Sequence, residues 1–171
     1  MLPSARRWVA LPLLFVAGAC ATSETVAKPG SGPVIVVGDE AQCRSVPGSG
    51  GTTTGLVPDA QLCTDLIVAL KEELHGAGYK IAPSTDAPHA AAASIIAHQS
   101  LAPVAGQREA AFLTVQVTVA SDGREVERAA QDGNTTDAGG NKQQVRAFAR
   151  AIATDLARSS RMRAAGLVPG R

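Results

Sequence analysis

Three histidines and three cysteines are the side chains with which this 171-residue chain could perform nucleophilic or metal chemistry. His75, His89 and His98 stand at none of the spacings that place two histidines on one helical face around zinc. The sequence also lacks the G-x-S-x-G turn that exposes a nucleophilic serine. We therefore expect no catalytic residue, no metal site and no cofactor.

Two further patterns resemble chemical sites only superficially. Residues 48–55 are rich in glycine, but they lack the Lys-Ser/Thr pair that contacts phosphate and magnesium in a phosphate-binding loop. Glu72 and Glu73 are adjacent on a predicted helix, so their carboxylates diverge and cannot act as an acid and base pair. We expect a solvated helix face at that position.

The first 19 residues have the pattern of an export signal. Arg6 and Arg7 precede an apolar run over residues 8–19. This run has about a dozen residues, whereas a transmembrane helix needs about 20. The pattern therefore favours a removable signal peptide over a permanent membrane span.

The end of that run, Val16-Ala17-Gly18-Ala19-Cys20, resembles the lipobox of bacterial lipoproteins, although Ala17 replaces the usual leucine. The resemblance implies that residues 1–19 are removed and that the Cys20 thiol carries a diacylglyceryl group, which anchors the protein in a membrane. Ala21 follows the cysteine, which implies the outer membrane, with the protein facing the periplasm. The alternative is an ordinary secretory signal cut after Ala19, with Cys20 as a buried thiol.

If Cys20 is lipidated, Cys43 and Cys63 remain as an even pair in an oxidising compartment. Such a pair favours a disulfide. The bond would close a loop of about 20 residues, for which the loss of chain entropy in the unfolded state predicts about 3 kcal/mol of stabilisation. Two free buried thiols are the alternative.

Composition excludes several broad classes. With 45% hydrophobic residues, 18% charged residues and a formal net charge of +1, the chain is too apolar to be disordered and too neutral for a nucleic-acid binder. Residues 1–19 contain two of the 16 basic residues and none of the 15 acidic ones, so their removal would leave a net charge of −1. We expect no nucleic-acid partner.

The hydrophobic pattern predicts a flexible tether over residues 20–32, a single domain over 33–160 and a frayed tail over 161–171. Asp59 is the predicted N-cap of a helix that ends at Gly76 to Gly78. A second helix begins near Asn141. Predicted strands cover residues 34–37, 79–82, 91–101, 111–119 and 124–130, and Asp122-Gly123 indicates a type I′ hairpin turn before the last, charged edge strand.

This order of elements predicts an α+β fold in which two helices pack on one face of a mixed or mainly antiparallel sheet of four to five strands. Phe112 and Ile96 are out of register with the core positions of their strands, so we expect both on the open side of the sheet as candidate contacts for a partner protein. Packing beneath a loop or the tail is the alternative. Arg146, Arg150 and Arg158, together with Arg161, form a helical stripe that suits an acidic partner or anionic lipid head groups, with a solvated helix face as the alternative.

The segment from Leu66 to Ile81, with Leu70, Leu74, Gly78 and Tyr79, resembles small domains of bacterial envelope lipoproteins. Penicillin-binding-protein activators, the amino-terminal domain of TolB and curli secretion lipoproteins carry such domains. The resemblance implies a non-enzymatic accessory or assembly factor for an envelope machine of secretion, motility or cell-wall synthesis, which acts by docking on an envelope protein. A periplasmic lipoprotein that binds lipid or a small molecule is the alternative.

Overall fold

The computed structural model describes residues 28–47, 56–83, 90–104, 107–135 and 141–170. The predicted signal peptide, Cys20, most of the tether and His89 lie outside these ranges. In the described ranges, no helix is long and apolar enough to span a bilayer. The elements are β1 (Val34–Val46), α1 (Asp59–Gly76), β2 (Lys80–Ala82), β3 (Ala91–Val104), β4 (Gln107–Ser121), β5 (Arg124–Thr135), α2 (Asn141–Arg158) and α3 (Ser160–Ala164).

The five strands form one mixed sheet in the order β2-β1-β3-β4-β5. β1 is parallel to both of its neighbours, because α1 carries the chain across before β2 begins, whereas β3, β4 and β5 form an antiparallel meander. Asp122 and Gly123 both have positive φ, at 51° and 74°, as a type I′ turn requires. The predicted hairpin is confirmed.

Both long helices cover the same face of the sheet. Along β3, Ala93, Ile95 and Ala97 are buried, whereas Ile96 and His98 between and after them are exposed. The buried side chains meet one core cluster, which includes Leu62, Leu66, Leu70 and Leu74 from α1 and Val145, Ala149, Ile152 and Leu156 from α2. The α+β class, with two helices on one face of a mixed sheet, is confirmed.

β1 is longer than the apolar run that predicts it. It continues to Val46, with a register irregularity between Val37 and Ala41, and Gln42 and Arg44 point outward in its second half. β5 likewise continues past residue 130 to Thr135. Gln42, Arg44 and Asp132 at outward positions of these extensions are polar, so an apolar pattern alone does not mark them as strand.

The predicted capping role of Asp59 is wrong. Asp59 is the first residue of α1, and Pro58 occupies the N-cap without a side-chain hydrogen bond. The Asp59 carboxylate instead accepts a hydrogen bond from the Ser45 hydroxyl at 2.5 Å. This contact joins the start of α1 to the end of β1.

The structure also differs from the frayed tail predicted for residues 161–171. Ser159 caps α3 by accepting hydrogen bonds from the N–H groups of Arg161 and Met162. Met162 is 0% exposed, and its carbonyl accepts from the N–H of Leu167 at 2.8 Å. Met162, the buried Pro169 and the partly buried Leu167 and Val168 therefore anchor this segment, although it has no apolar repeat.

The last residues of the predicted tether belong to the folded domain. Gly32 donates a hydrogen bond from its N–H to the carbonyl of Gly78 at 2.8 Å. A Cβ on Gly32 would lie 2.5 Å from that carbonyl oxygen, so the close approach requires glycine. The folded domain thus begins before Pro33.

Candidate functional site

The face of the sheet opposite the helices is the first candidate surface. Directly paired residues on neighbouring strands lie side by side on one face, so the register places the outward side chains in rows. One row contains Gln42, Ile96, Gln116 and Ala130. The next row contains Arg44, His98, Thr114 and Asp132, and the one after it contains Val46, Ser100 and Phe112.

Ile96 and Phe112 both lie on this open face, as their register predicts. Ile96 is 38% exposed, and Phe112 is half-buried. They are not neighbours, because the row of Arg44 and His98 separates them. Val46, 48% exposed, shares the row of Phe112 and adds an apolar side chain that sequence reasoning missed.

His98 is exposed in the middle of this face, as expected from its parity with Ile96. His75 is exposed at the end of α1, where it lies against Gly30. Among the residues that the structure describes, no three His, Cys, Asp or Glu side chains are grouped so as to hold a metal ion.

Arg146 and Arg150 do not form a free cationic surface. Arg146 pairs with Glu72 at 3.1 Å and with Glu73 at 3.2 Å, and Arg150 reaches Glu73 at 3.2 Å. Glu73, whose side chain is only 14% exposed, thus lies between two guanidinium groups of α2. The solvated face expected for Glu72 and Glu73 is instead a bridge between α1 and α2.

Two opposing effects set the protonation of Glu73. Burial would raise the pKa of its carboxyl group, but hydrogen bonds from Arg150 and Arg146, with their positive charges, outweigh burial and lower the pKa below its ordinary value. The same contact with Glu73 raises the pKa of Arg150. Glu73 therefore remains charged at neutral pH and holds both arginines.

Arg158 lies apart from those two arginines and lines a second candidate surface. An open cleft of about 570 Å³ runs between β5 and the junction of α2 with α3. Its lining residues are Glu127, Arg128, Ala129, Ala130, Asp155, Arg158, Ser159, Ser160 and Arg161. We call this feature the β5 cleft.

The acidic groups of the β5 cleft are already engaged. The Glu127 carboxylate accepts from the Ser159 hydroxyl and from the backbone N–H of Arg128, and these bonds lower its pKa. Asp155 accepts from the side-chain amide of Gln131 at 3.1 Å. Arg158 is exposed and makes no ion pair with a described residue.

The predicted disulfide is confirmed. Cys43 of β1 and Cys63 of α1 are bonded, with their Cα atoms 5.8 Å apart and a sequence separation of 20. The bond fixes the first turns of α1 to the second half of β1. The glycine-rich residues 48–55 that it encloses lie outside the described ranges.

Gln99 is a buried polar residue that sequence reasoning missed. It is 0% exposed, and its side-chain oxygen accepts from the N–H of Val57 at 3.1 Å, which fixes the segment before α1. The signal was present in the alternation of β3, since Gln99 has the same parity as Ala93, Ile95 and Ala97. We assign Gln99 a structural role.

No protein-family model matches the chain, and no curated protein matches its sequence. Similar solved structures include the PelC dodecamer from Paraburkholderia phytofirmans, at 15% identity and a TM-score of 0.43 over 76% of this chain and 92% of that one. A homolog of neuraminyllactose-binding hemagglutinin from Helicobacter pylori has 10% identity and a TM-score of 0.46, over 83% and 93% of the two chains. A minor lipoprotein from Acinetobacter baumannii has 17% identity and a TM-score of 0.35, over 80% and 95%. With TM-scores below 0.5, these similarities assign neither a family nor a function to this chain.

Proposed function

We propose that this protein is a non-enzymatic lipoprotein of the outer membrane that faces the periplasm and docks an envelope protein on the open face of its sheet. In this role it is an accessory or assembly factor for a machine of secretion, motility or cell-wall synthesis. The observation that carries the proposal is the sheet face that no described helix covers, with Ile96, Phe112 and Val46 among polar side chains. The lipobox at Cys20 supports the membrane anchor.

The chemistry of the open face suits a protein partner. Isolated apolar side chains are surrounded by Gln, Ser, Thr and His groups, and the central row carries both signs of charge in Arg44 and Asp132. Apolar anchors inside a polar surround are typical of reversible protein interfaces. The lipid on Cys20 would restrict such a partner to proteins of the envelope.

The size of this face suits reversible docking. The face contains four strands about 4.8 Å apart. A length of about eight residues per strand, at about 3.3 Å per residue, gives it an area of roughly 500 Å². Stable complexes bury about 800 Å² on each partner, and weaker, transient ones bury less. An accessory factor that binds and releases its partner fits this range.

The lipid or small-molecule carrier is the less favoured alternative. A carrier of this fold would need an apolar cavity between the helices and the sheet. In the described part of the chain, the gap lined by Leu66, Leu70, Ile95 and Ile152 leaves no volume for a water-sized sphere. Close packing there favours docking on the outside of the domain.

Site-specific photo-crosslinking in the producing cells tests the proposal. A photoreactive phenylalanine analogue at position 96 or 112 should crosslink one envelope protein, and Ile96→Asp combined with the probe at 112 should abolish that product. Val68, 50% exposed on α1, provides the control position on the opposite side of the domain. Equal crosslinking from position 68, or bound lipid with no stoichiometric protein partner after detergent extraction, would show that the proposal is wrong.

A further inference from the structure

The β5 cleft follows the outer edge of the sheet. Neighbouring residues of a strand point to opposite faces, so four consecutive residues line one cleft only when it runs along the strand edge. Residues 127–130 all line this cleft, and β5 is the last strand of the sheet. The cleft is therefore bounded by an edge strand on one side and by α2 and α3 on the other.

The edge of β5 presents backbone groups to this cleft. The N–H of Arg128 is bonded to the side chain of its neighbour Glu127 at 2.9 Å, so this N–H points away from β4. Alternate residues of a strand direct their backbone groups to the same side, so the N–H and carbonyl of Ala130 also point to the outer edge. No strand among the described residues pairs with that edge.

The lining of the cleft carries one net positive charge, because Arg128, Arg158 and Arg161 outnumber Glu127 and Asp155. Glu127 and Asp155 are engaged by hydrogen bonds, whereas the Arg158 guanidinium makes no ion pair in the described structure. Arg161, whose side chain is 73% exposed, lies 3.9 Å from Glu127, and Arg128 pairs with Glu125 on the strand itself. Acidic side chains of an added strand would meet Arg158 and Arg161.

We propose that the β5 cleft binds an extended, acidic segment of a partner protein, which adds to the sheet as a sixth strand beside β5. Backbone hydrogen bonds to Ala130 hold the segment, and Arg158 and Arg161 select carboxylate side chains. The Glu127 carboxylate accepts the outward N–H of Arg128. A backbone carbonyl of the added strand would accept the outward N–H of Ala130 in the same way. This inference rests on the proposed docking role. The β5 cleft meets the open face at Ala130, which shares the row of Ile96, but its lining includes neither Ile96 nor Phe112.

The test measures binding of a fluorescent eight-residue peptide that alternates glutamate with valine to the full-length protein in detergent. One control peptide has lysine in place of glutamate, and another carries N-methyl groups on alternate backbone nitrogens. We expect both to bind at least about tenfold more weakly, because they lose the charge match or the backbone donors.

Protein variants locate the site. Arg158→Glu should weaken peptide binding about tenfold, because it reverses the sign of the net charge on the residues that line the cleft. Arg163→Glu, on the exposed face of α3 outside the cleft, is the matched control and should leave binding within about twofold. Ala130→Pro should abolish binding, because proline removes an outward N–H but is compatible with an edge strand. Thermal unfolding confirms that each variant is folded.

Several outcomes overturn this inference. They are a lack of binding, retention of binding by Ala130→Pro or by the N-methylated peptide, and equally tight competition by the acidic polysaccharide polygalacturonate. Dimerisation that Ala130→Pro abolishes would show that a second copy of this chain takes the edge, and it would also overturn the inference. Crosslinking from positions 96 and 112 is scored separately, so failure at the β5 cleft leaves the proposed function intact.

Discussion

Arg150 meets Glu73 through two contacts, Nε to Oε2 at 3.2 Å and Nη2 to Oε1 at 3.4 Å, which join α2 to α1. Two-point pairing of a guanidinium with a carboxylate is among the stronger ionic contacts in proteins. Arg146 adds contacts with Glu72 at 3.1 Å and with Glu73 at 3.2 Å, so Glu73, which is mostly shielded from solvent, is held by both arginines of α2.

Glu73→Gln should lower the free energy of unfolding at pH 7 by about 1 kcal/mol, because it removes the charge that both arginines contact. The pKa of Glu73 lies below 4.5 in the folded state, so its contribution is complete above pH 4.5 and is lost as the pH falls through the folded value. Urea unfolding should therefore show a difference between wild type and variant that shrinks in acid. Glu72→Gln is the control, and an equal effect from it would contradict the role of Glu73.

Tyr79 should ionise at a higher pH in the folded protein than an exposed tyrosine does. Burial raises the pKa of its hydroxyl group from 10.0 to about 12, and this is the single tyrosine of the chain. The ultraviolet titration of the native protein should thus show a midpoint near pH 12. Because the folded pKa exceeds the unfolded one, ionisation of Tyr79 leaves the free energy of unfolding unchanged below pH 10 and lowers it as the pH rises towards 12.

Tyr79→Phe provides the matching stability test. The Tyr79 hydroxyl is buried and has no hydrogen-bond partner among the described residues. Its removal relieves an unpaired buried polar group, so the variant should be as stable as wild type or more stable by about 1 kcal/mol. A loss of 1 kcal/mol or more in urea unfolding would mean that the hydroxyl has a partner.

The Cys43–Cys63 bond should contribute about 3 kcal/mol to stability, because it restricts a loop of about 20 residues in the unfolded chain. The double variant Cys43→Ser, Cys63→Ser should unfold at a correspondingly lower urea concentration. Non-reducing peptide mapping of the wild type should recover the two cysteines in one linked fragment. Unmodified thiols at both positions would contradict the bond.

Cys20→Ser tests the membrane anchor. The variant should lose the mass of the acyl groups, move from the membrane to the soluble fraction and no longer respond to globomycin. Ala17→Leu restores the usual lipobox residue and should speed processing without changing the mature mass. An unchanged mass and fractionation for Cys20→Ser would favour the ordinary secretory signal.

Local patterns were sufficient to predict much of this fold. The i, i+4 apolar repeat of α1 and the alternation in β4 depend on neighbouring residues, so the sequence reveals them directly. The parallel placement of β1 between β2 and β3 depends instead on pairing between distant segments. Met162 orders the predicted tail through packing that no local repeat could indicate.

The candidate surfaces divide in the same way. Ile96 and Phe112 were predictable because strand parity alone decides the face on which each lies. The contacts of the arginine stripe were not predictable, because they depend on neighbouring elements. Arg146 and Arg150 contact carboxylates of α1, whereas Arg158 lies beside β5. Helical spacing carries no information about those neighbours.

If Cys20 is lipidated, the hydrogen bond from Gly32 to Gly78 limits the distance between the domain and the membrane. With lipid on Cys20, the eight residues before Lys28 span at most about 28 Å, so the end of the sheet where β1 and β2 begin stays near the bilayer. Val46 and Phe112 lie at the other end of the sheet, about 30 Å further along β3. The anchor would thus turn that end of the open face towards the interior of the periplasm and leave Ile96 between the two ends.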